Sequence, residues 1–176
     1  MKTFFTSDLH FFHDNIITYC KRPCTPEEHN DWIIETINKQ VSPGDVVYHL
    51  GDLTGTRSGF KFKDLVDIFS RLHGTWKCLK GNHDNENQMK ALMAATGNEY
   101  LGSEHEFKSL GRTFVLYHFP IESWNKKSYS SIHLHGHTHD TIMRPIPNRF
   151  SVCLDLEQKV YLLEDIIDQS VVYKRN

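Results

Sequence analysis

Trp76-Lys77-Cys78-Leu79-Lys80-Gly81-Asn82-His83-Asp84 is an apolar run that breaks at a glycine into three polar side chains, and a helix-like segment follows from Glu86 to Ala95. The glycine lets the backbone turn sharply. Asn82, His83 and Asp84 are groups that bind a metal, move a proton or orient an imidazole. The stretch therefore predicts a strand, a loop and a helix. Taken alone, its tetrapeptide suits a helix N-cap as well as a site.

Working outward, the same design recurs. Upstream, the turn Ser42-Pro43-Gly44-Asp45 leads into a buried strand, Val46 to Leu50, which ends in Gly51-Asp52. At the start, Lys2 to Thr6 predicts a strand that delivers Ser7-Asp8-Leu9-His10, with Asp8 and His10 on one side. An Asp-x-His pair suits a divalent cation with mixed oxygen and nitrogen ligands, and equally a turn aspartate beside a surface histidine. Between these strands, Asp14 is expected to cap a helical turn over Ile16 to Cys20, and Arg22-Pro23 breaks it. Thr25-Pro26-Glu27-Glu28 predicts a helix start, with Thr25 as cap and Glu28 completing a capping box. Trp32, Ile33, Ile37 and Val41 supply its apolar stripe. After the polar loop Thr54 to Gly59, the residues Phe62, Leu65, Val66, Phe69 and Leu72 are at helical spacing.

Downstream, Glu104 to Ser109 and Arg112 to Tyr117 predict a hairpin around Leu110-Gly111 that delivers His118-Phe119-Pro120. Ile132 to His135 is a short alternating strand running into Gly136-His137-Thr138-His139. In the tail, Phe150 to Leu156 and Lys159 to Leu162 are expected as strands, Leu163 to Asp168 as a helical turn, and Val171 to Tyr173 as a last strand.

A chain of 176 residues with 39% hydrophobic and 24% charged residues has the composition of an ordinary globular protein, and its length suits one domain over residues 1–176. A net charge of −2 argues against a protein that grips long duplex DNA through many phosphates. Met1 to Asp8 has too short an apolar stretch for a secretory signal or membrane span, so the expected location is cytoplasmic. Cys20, Cys24, Cys78 and Cys153 lack the spacing of a zinc site and read as reduced thiols without a role.

The strand ends thus present Asp8, His10, Asp52, Asn82, His83, His118, His137 and His139. Beta-alpha units bring strand carboxyl ends to one edge of a sheet, where such side chains converge. The set combines carboxylates, an amide oxygen and imidazoles without cysteine. It points to two divalent transition-metal ions, and Mn, Fe, Zn, Co or Ni would all fit because such a set selects poorly among them; Mn is the expected choice.

In these motifs the sequence resembles the calcineurin-like metallophosphoesterase superfamily. Asp8-Leu9-His10, Gly51-Asp52, Gly81-Asn82-His83-Asp84, His118 and Gly136-His137-Thr138-His139 match its five motifs in order. Asp8 to Ile17, Tyr48 to Asp52 and His133 to His139 are similar to small single-domain phosphoesterases of bacteria and their phages. The resemblance implies an α/β fold, a four-layer αββα sandwich of two mixed sheets flanked by helices. It implies that Asp8, His10, Asp52 and His139 hold one metal ion and Asp52, Asn82, His118 and His137 the other. Asp52 would bridge ions roughly 3.5 to 4 Å apart, around a hydroxide that attacks phosphorus. His83, not carried over as a ligand, is then expected as general acid, with Asp84 fixing its ring.

Seven further histidines remain. His29, His73 and His105 are expected at the surface, His133 as a strand residue, and His49 and His135 as candidates to orient ligands. His13, Asn15 and Arg22 are candidate contacts to a substrate phosphate, or members of a helix-capping network. Trp124, Lys126, Lys127 and Tyr129 offer a base-stacking, phosphate-meeting surface, or a solvated basic turn. The expected activity is a phosphodiesterase acting on a nucleotide or a single-stranded nucleic-acid end, with no protein or membrane partner. A phosphomonoesterase on small esters is the alternative enzyme. A non-catalytic protein-binding scaffold is the alternative of another class, and the filled motifs, His83 included, argue against it.

Overall fold

The computed structural model describes residues 1–55, 59–139 and 144–172. Two sheets stack face to face. The first has five strands: β1 (Thr3–Thr6), β2 (Val46–His49), β3 (Thr75–Leu79), β4 (Glu99–Gly102) and β9 (Tyr161–Leu162), in the order β4-β3-β2-β1-β9. β1 to β4 are parallel and β9 is antiparallel to β1. The second sheet has β5 (Glu104–Ser109), β6 (Arg112–Tyr117), β7 (Ile132–His135) and β8 (Arg149–Ser151) in sequence order. It is also mixed, with β5 antiparallel to β6 and the remaining pairs parallel.

Period-two alternation explains why the first sheet is apolar on both faces. Phe4, Val47 and Cys78 point into one core, together with helices α2 (His29–Asn38), α3 (Phe62–Arg71) and α4 (Glu86–Thr96). Their neighbours Phe5, Tyr48 and Leu79 point the other way and meet Phe114, Leu116, Ile132 and Leu134 between the sheets. Phe5 stacks on Tyr48 at 5.5 Å and on Phe114 at 5.8 Å, an aromatic link that joins the two layers. Helix α6 (Leu163–Gln169) closes this core with Leu163 and Ile166.

The layered sandwich of two mixed sheets with helices is the expected one. Its flanking layers are unequal. Over the outer face of the second sheet, residues 119–131 with a 3-10 turn at Lys127–Tyr129 take the place of a long helix. Outward-pointing His133 packs under Trp124 at 5.3 Å between ring centres. Some local expectations also change. Glu28 Oε2 accepts from the Thr25 N–H as a capping box would, but helix α2 begins at His29. Asp14 is the first residue of α1 (Asp14–Cys20), and His13 holds the cap position. Strand β4 was not legible in Glu99–Gly102. The expected strand Phe150 to Leu156 stops at Ser151, and α5 (Leu154–Glu157) replaces its second half. Val171 and Val172 are not in a strand, and Tyr173 lies outside the described residues, as do 56–58 of the polar loop. Among the described residues no helix is long and apolar enough to cross a membrane.

Candidate metal centre

Parallel β1, β2 and β3 end side by side, and their loops continue the pairing. Asp8 N–H donates to Gly51 O at 3.0 Å and His10 N–H to Asp52 O at 3.1 Å. Parallel β6 and β7 deliver His118 and His137 from the second sheet, with Gly136 N–H on His118 O at 3.0 Å. The sheets are stitched at this edge by the bridge Ser7 to Cys153 and by Leu154 N–H on Ser7 O. All seven candidate ligands therefore reach one place.

The loops are tightly wound. Asp8, His10, Asp52 and His137 all have positive φ, a conformation that costs a non-glycine residue about 1–3 kcal/mol and clusters at functional sites. Gly81 is needed for close approach, because a Cβ there would collide with Asp52 Oδ1.

Asp52 is central. Its Oδ2 lies 3.4 Å from His118 Nε2, 3.8 Å from His10 Nε2 and 3.9 Å from His83 Nε2, while Oδ1 accepts from His83 N–H at 2.9 Å. Burial pushes its carboxyl up, but the hydrogen bond and charge of His118 and the His83 N–H outweigh that and hold it at about 2. Asp8, fully buried, is pushed up by burial against the pull of His139 and His118. His139 Nε2 lies 3.7 Å from Asp8 Oδ1.

Two observations test whether cations fit. His10 is buried, and neither ring nitrogen has a hydrogen-bond partner; burial lowers its pKa to about 2, so the ring is a neutral donor awaiting an acceptor. His118 Nδ1 donates to Leu50 O at 2.9 Å, so Nε2, which carries the proton that steadies Asp52 in the charged ring, would in the neutral ring turn a lone pair toward Asn82 Oδ1 at 2.9 Å as well as Asp52. His137 Nδ1 is 2.9 Å from the same amide oxygen. Such a meeting of lone pairs is relieved by a proton on an imidazole or by a cation, and a cation satisfies all of them at once. Asp8, His10 and Asp52 form one group whose donor atoms lie within 4.8 Å of one another, and Asp52, His118 and His137 form another.

A family model for the calcineurin-like phosphoesterase superfamily domain matches residues 1–153. The chain belongs to this superfamily. The chain is 33% identical over 139 residues to MJ1445, an uncharacterized protein of Methanocaldococcus jannaschii, covering 78% of this chain and 69% of the relative. It is 28% identical over 188 residues to the gene 66 protein of Mycobacterium phage D29, covering 92% of each. Among solved structures it is similar to AQ665 from Aquifex aeolicus, a protein of unknown function, with a TM-score of 0.75, 21% identity and coverage of 95% and 98%. It is also similar to an archaeal phosphodiesterase, with a TM-score of 0.52, 19% identity and coverage of 87% and 82%. These two likenesses are of fold.

Around this candidate centre several expected roles change. Asp84 does not touch the His83 ring. Its oxygens accept from the backbone N–H groups of Asp52 at 2.7 Å, Leu53 at 2.9 Å and Gly81 at 2.9 Å, so it pins the Asp52 loop to the Gly81 loop. Burial raises its carboxyl to about 6 despite these bonds. His83 Nδ1 is without a partner. Arg22 is buried and pairs with Asp155, so it does not face a substrate phosphate. Asn15 is exposed on α1, whereas the His13 ring sits 5.3 Å from His10 and 6.4 Å from His83, beside the centre. Trp124 is buried, with its indole N–H on Ser131 O, so it offers no stacking face to a base. His29 is buried against Arg22, not at the surface. His49 has no hydrogen-bonded nitrogen, and His135 Nδ1 meets Gly136 O at 2.9 Å, next to His137.

Asp155 was missed. Its Oδ2 lies 2.7 Å from His139 Nδ1, and the only sequence signal was an acidic residue in an otherwise apolar tail segment.

Proposed function

We propose that the chain is a phosphodiesterase that depends on two divalent transition-metal ions and acts on a nucleotide or nucleic-acid end. The observation that carries this reading is the single Asp52 carboxylate shared by two ligand groups, with His83 beside it. Asp8, His10, Asp52 and His139 would hold one ion; Asp52, Asn82, His118 and His137 would hold the other. When bound, such ions supply Lewis acidity toward phosphoryl oxygens and the means to activate water at neutral pH.

The protein's own groups do the rest. Leu50 O fixes the His118 ring, leaving Nε2 as donor. His83 is about one-third exposed and its Nε2 lies 3.9 Å from Asp52 Oδ2, so the ring stands where it can carry a proton to the leaving oxygen as general acid. With Asp84 engaged elsewhere, the negative group nearest this ring is Asp52. Asn82 and His137 are exposed, and this open side leaves room for an ester with two substituents. Mn, Fe, Zn, Co and Ni all fit a set that mixes carboxylate and amide oxygens with imidazoles, and Mn is the ion we favour. The free cysteines agree with a reducing cytoplasm.

The test is hydrolysis of bis(p-nitrophenyl) phosphate and p-nitrophenyl phosphate by chelator-stripped protein resupplied with Mn or Ni. Metal-restored turnover with preference for the diester is expected. Preference for the monoester would move the reading to a phosphomonoesterase, and no hydrolysis of either would move it to a scaffold.

A further inference from the structure

Asp155 stands behind His139 and past residue 153, where the superfamily match ends. Its carboxylate takes Arg22 Nε at 2.7 Å and Nη2 at 2.9 Å, and both side chains are within 2% of complete burial. Arg22 also donates Nη1 to Leu9 O and Nη2 to Asp8 O, each at 2.7 Å, and Nη1 lies 2.7 Å from His29 Nε2. All five guanidinium N–H donors are thereby used. One arginine ties the Asp8 loop to α2 and to α5.

An imidazole that gives Nδ1–H to a carboxylate carries its lone pair on Nε2. In His139 that nitrogen is the one facing Asp8. Cys20 Sγ at 3.4 Å and Cys153 Sγ at 3.7 Å flank His139 Nδ1, but thiols are weak acceptors and the carboxylate at 2.7 Å sets the tautomer. We infer that Asp155, locked by Arg22, is a positioning residue that fixes the tautomer and ring of His139 so that Nε2 is offered to the ion shared with Asp8, His10 and Asp52. The inference rests on the metal-centre reading above.

The experiment titrates Mn2+ alone into the wild-type chain and the double variant R22M/D155L, counting bound ions by electron paramagnetic resonance and checking the fold by circular dichroism. Replacing a buried pair by apolar residues is often neutral for stability, so the variant is expected to fold. Because it also removes the Arg22 bonds to Asp8 O, Leu9 O and His29, D155N, which keeps Arg22, is titrated beside it and should weaken the same ion as the double variant. One of the two ions should bind about 10- to 100-fold more weakly, as is typical when a partner behind a ligand is lost, and the other should be unchanged. A folded double variant with wild-type affinity for both ions overturns the inference and leaves the metal centre standing. A wild-type chain that binds no Mn2+ overturns both. Should the variant not fold, nitrogen-15 histidine spectra of the wild type loaded with diamagnetic Zn2+ decide: His139 with a protonated Nδ1 and a metal-shifted Nε2 supports the inference, and His139 bound to the ion through Nδ1 or not bound overturns it.

Discussion

Behind Asp8, His10 and His139 stands a buried ion pair, Arg22 with Asp155, whereas in the other half the buried His118 is backed by one backbone carbonyl, Leu50 O, and Asn82 and His137 are exposed. In the first, more closed half Asp8, His10 and the shared Asp52 are buried, and His139 is about one-quarter exposed. In the second half His137 is exposed, with the Phe119 ring 4.6 Å away. The contrast teaches that charge is concentrated where water is excluded, and that neutral donors line the side a substrate can reach. Low dielectric strengthens every interaction in the closed half and makes an unpaired group there costly. Ligands in the open half have less to lose.

His83 belongs to neither half, and its removal has the largest expected effect. His83→Asn should lower turnover about 100- to 10,000-fold while both ions stay bound, as read by steady-state kinetics and metal analysis. Near-normal turnover would remove the general-acid role. Next comes the closed half. Arg22→Met leaves the buried Asp155 carboxylate with His139 as its main partner and orphans Leu9 O and Asp8 O, and should destabilise by about 3–5 kcal/mol in urea unfolding, whereas Asn82→Ala, at an exposed position, should change stability little. Equal effects would dissolve the contrast between the halves. Gly81→Ala should cost about 1–3 kcal/mol through overpacking against Asp52, and should weaken both ions together because Asp52 serves both halves. Weakening of only one would show that Asp52 is not shared.

The smallest effect concerns the outer face of the second sheet. Burial lowers His133 to about 4. Between pH 6.5 and 4 the unfolded chain therefore takes up a proton that the folded chain refuses, so stability is full above 6.5 and falls as pH drops toward 4. Across that window the ring contributes at most about 1.4 kcal/mol for each step of one in pH. His133→Gln should flatten part of this fall between urea midpoints at pH 7 and pH 5. His10, His29, His49 and His135 are lowered for the same reason and keep the remainder. An unchanged slope would show that the His133 ring gains no proton on unfolding.

What the sequence by itself determined is local. Alternation in Phe4-Phe5 and Val47-Tyr48 marks strands with two apolar faces, and helical spacing from Phe62 to Leu72 marks α3, because both periods are properties of the backbone alone. The strand-end motifs named the ligand types and, by resemblance, the superfamily. Tertiary structure alone decided the partners. Asp84 looks in sequence like a neighbour for His83, yet its oxygens reach the Asp52 loop, more than thirty residues away. Arg22 and Asp155 are separated by 133 positions and meet only because Ser7 and Leu154 join the two sheets at the site. Trp124 looks like a stacking ring until β7 shows that it covers His133. Periodicity records which face a residue takes, while a hydrogen bond between distant side chains depends on how the sheets are laid together, and no local pattern encodes that.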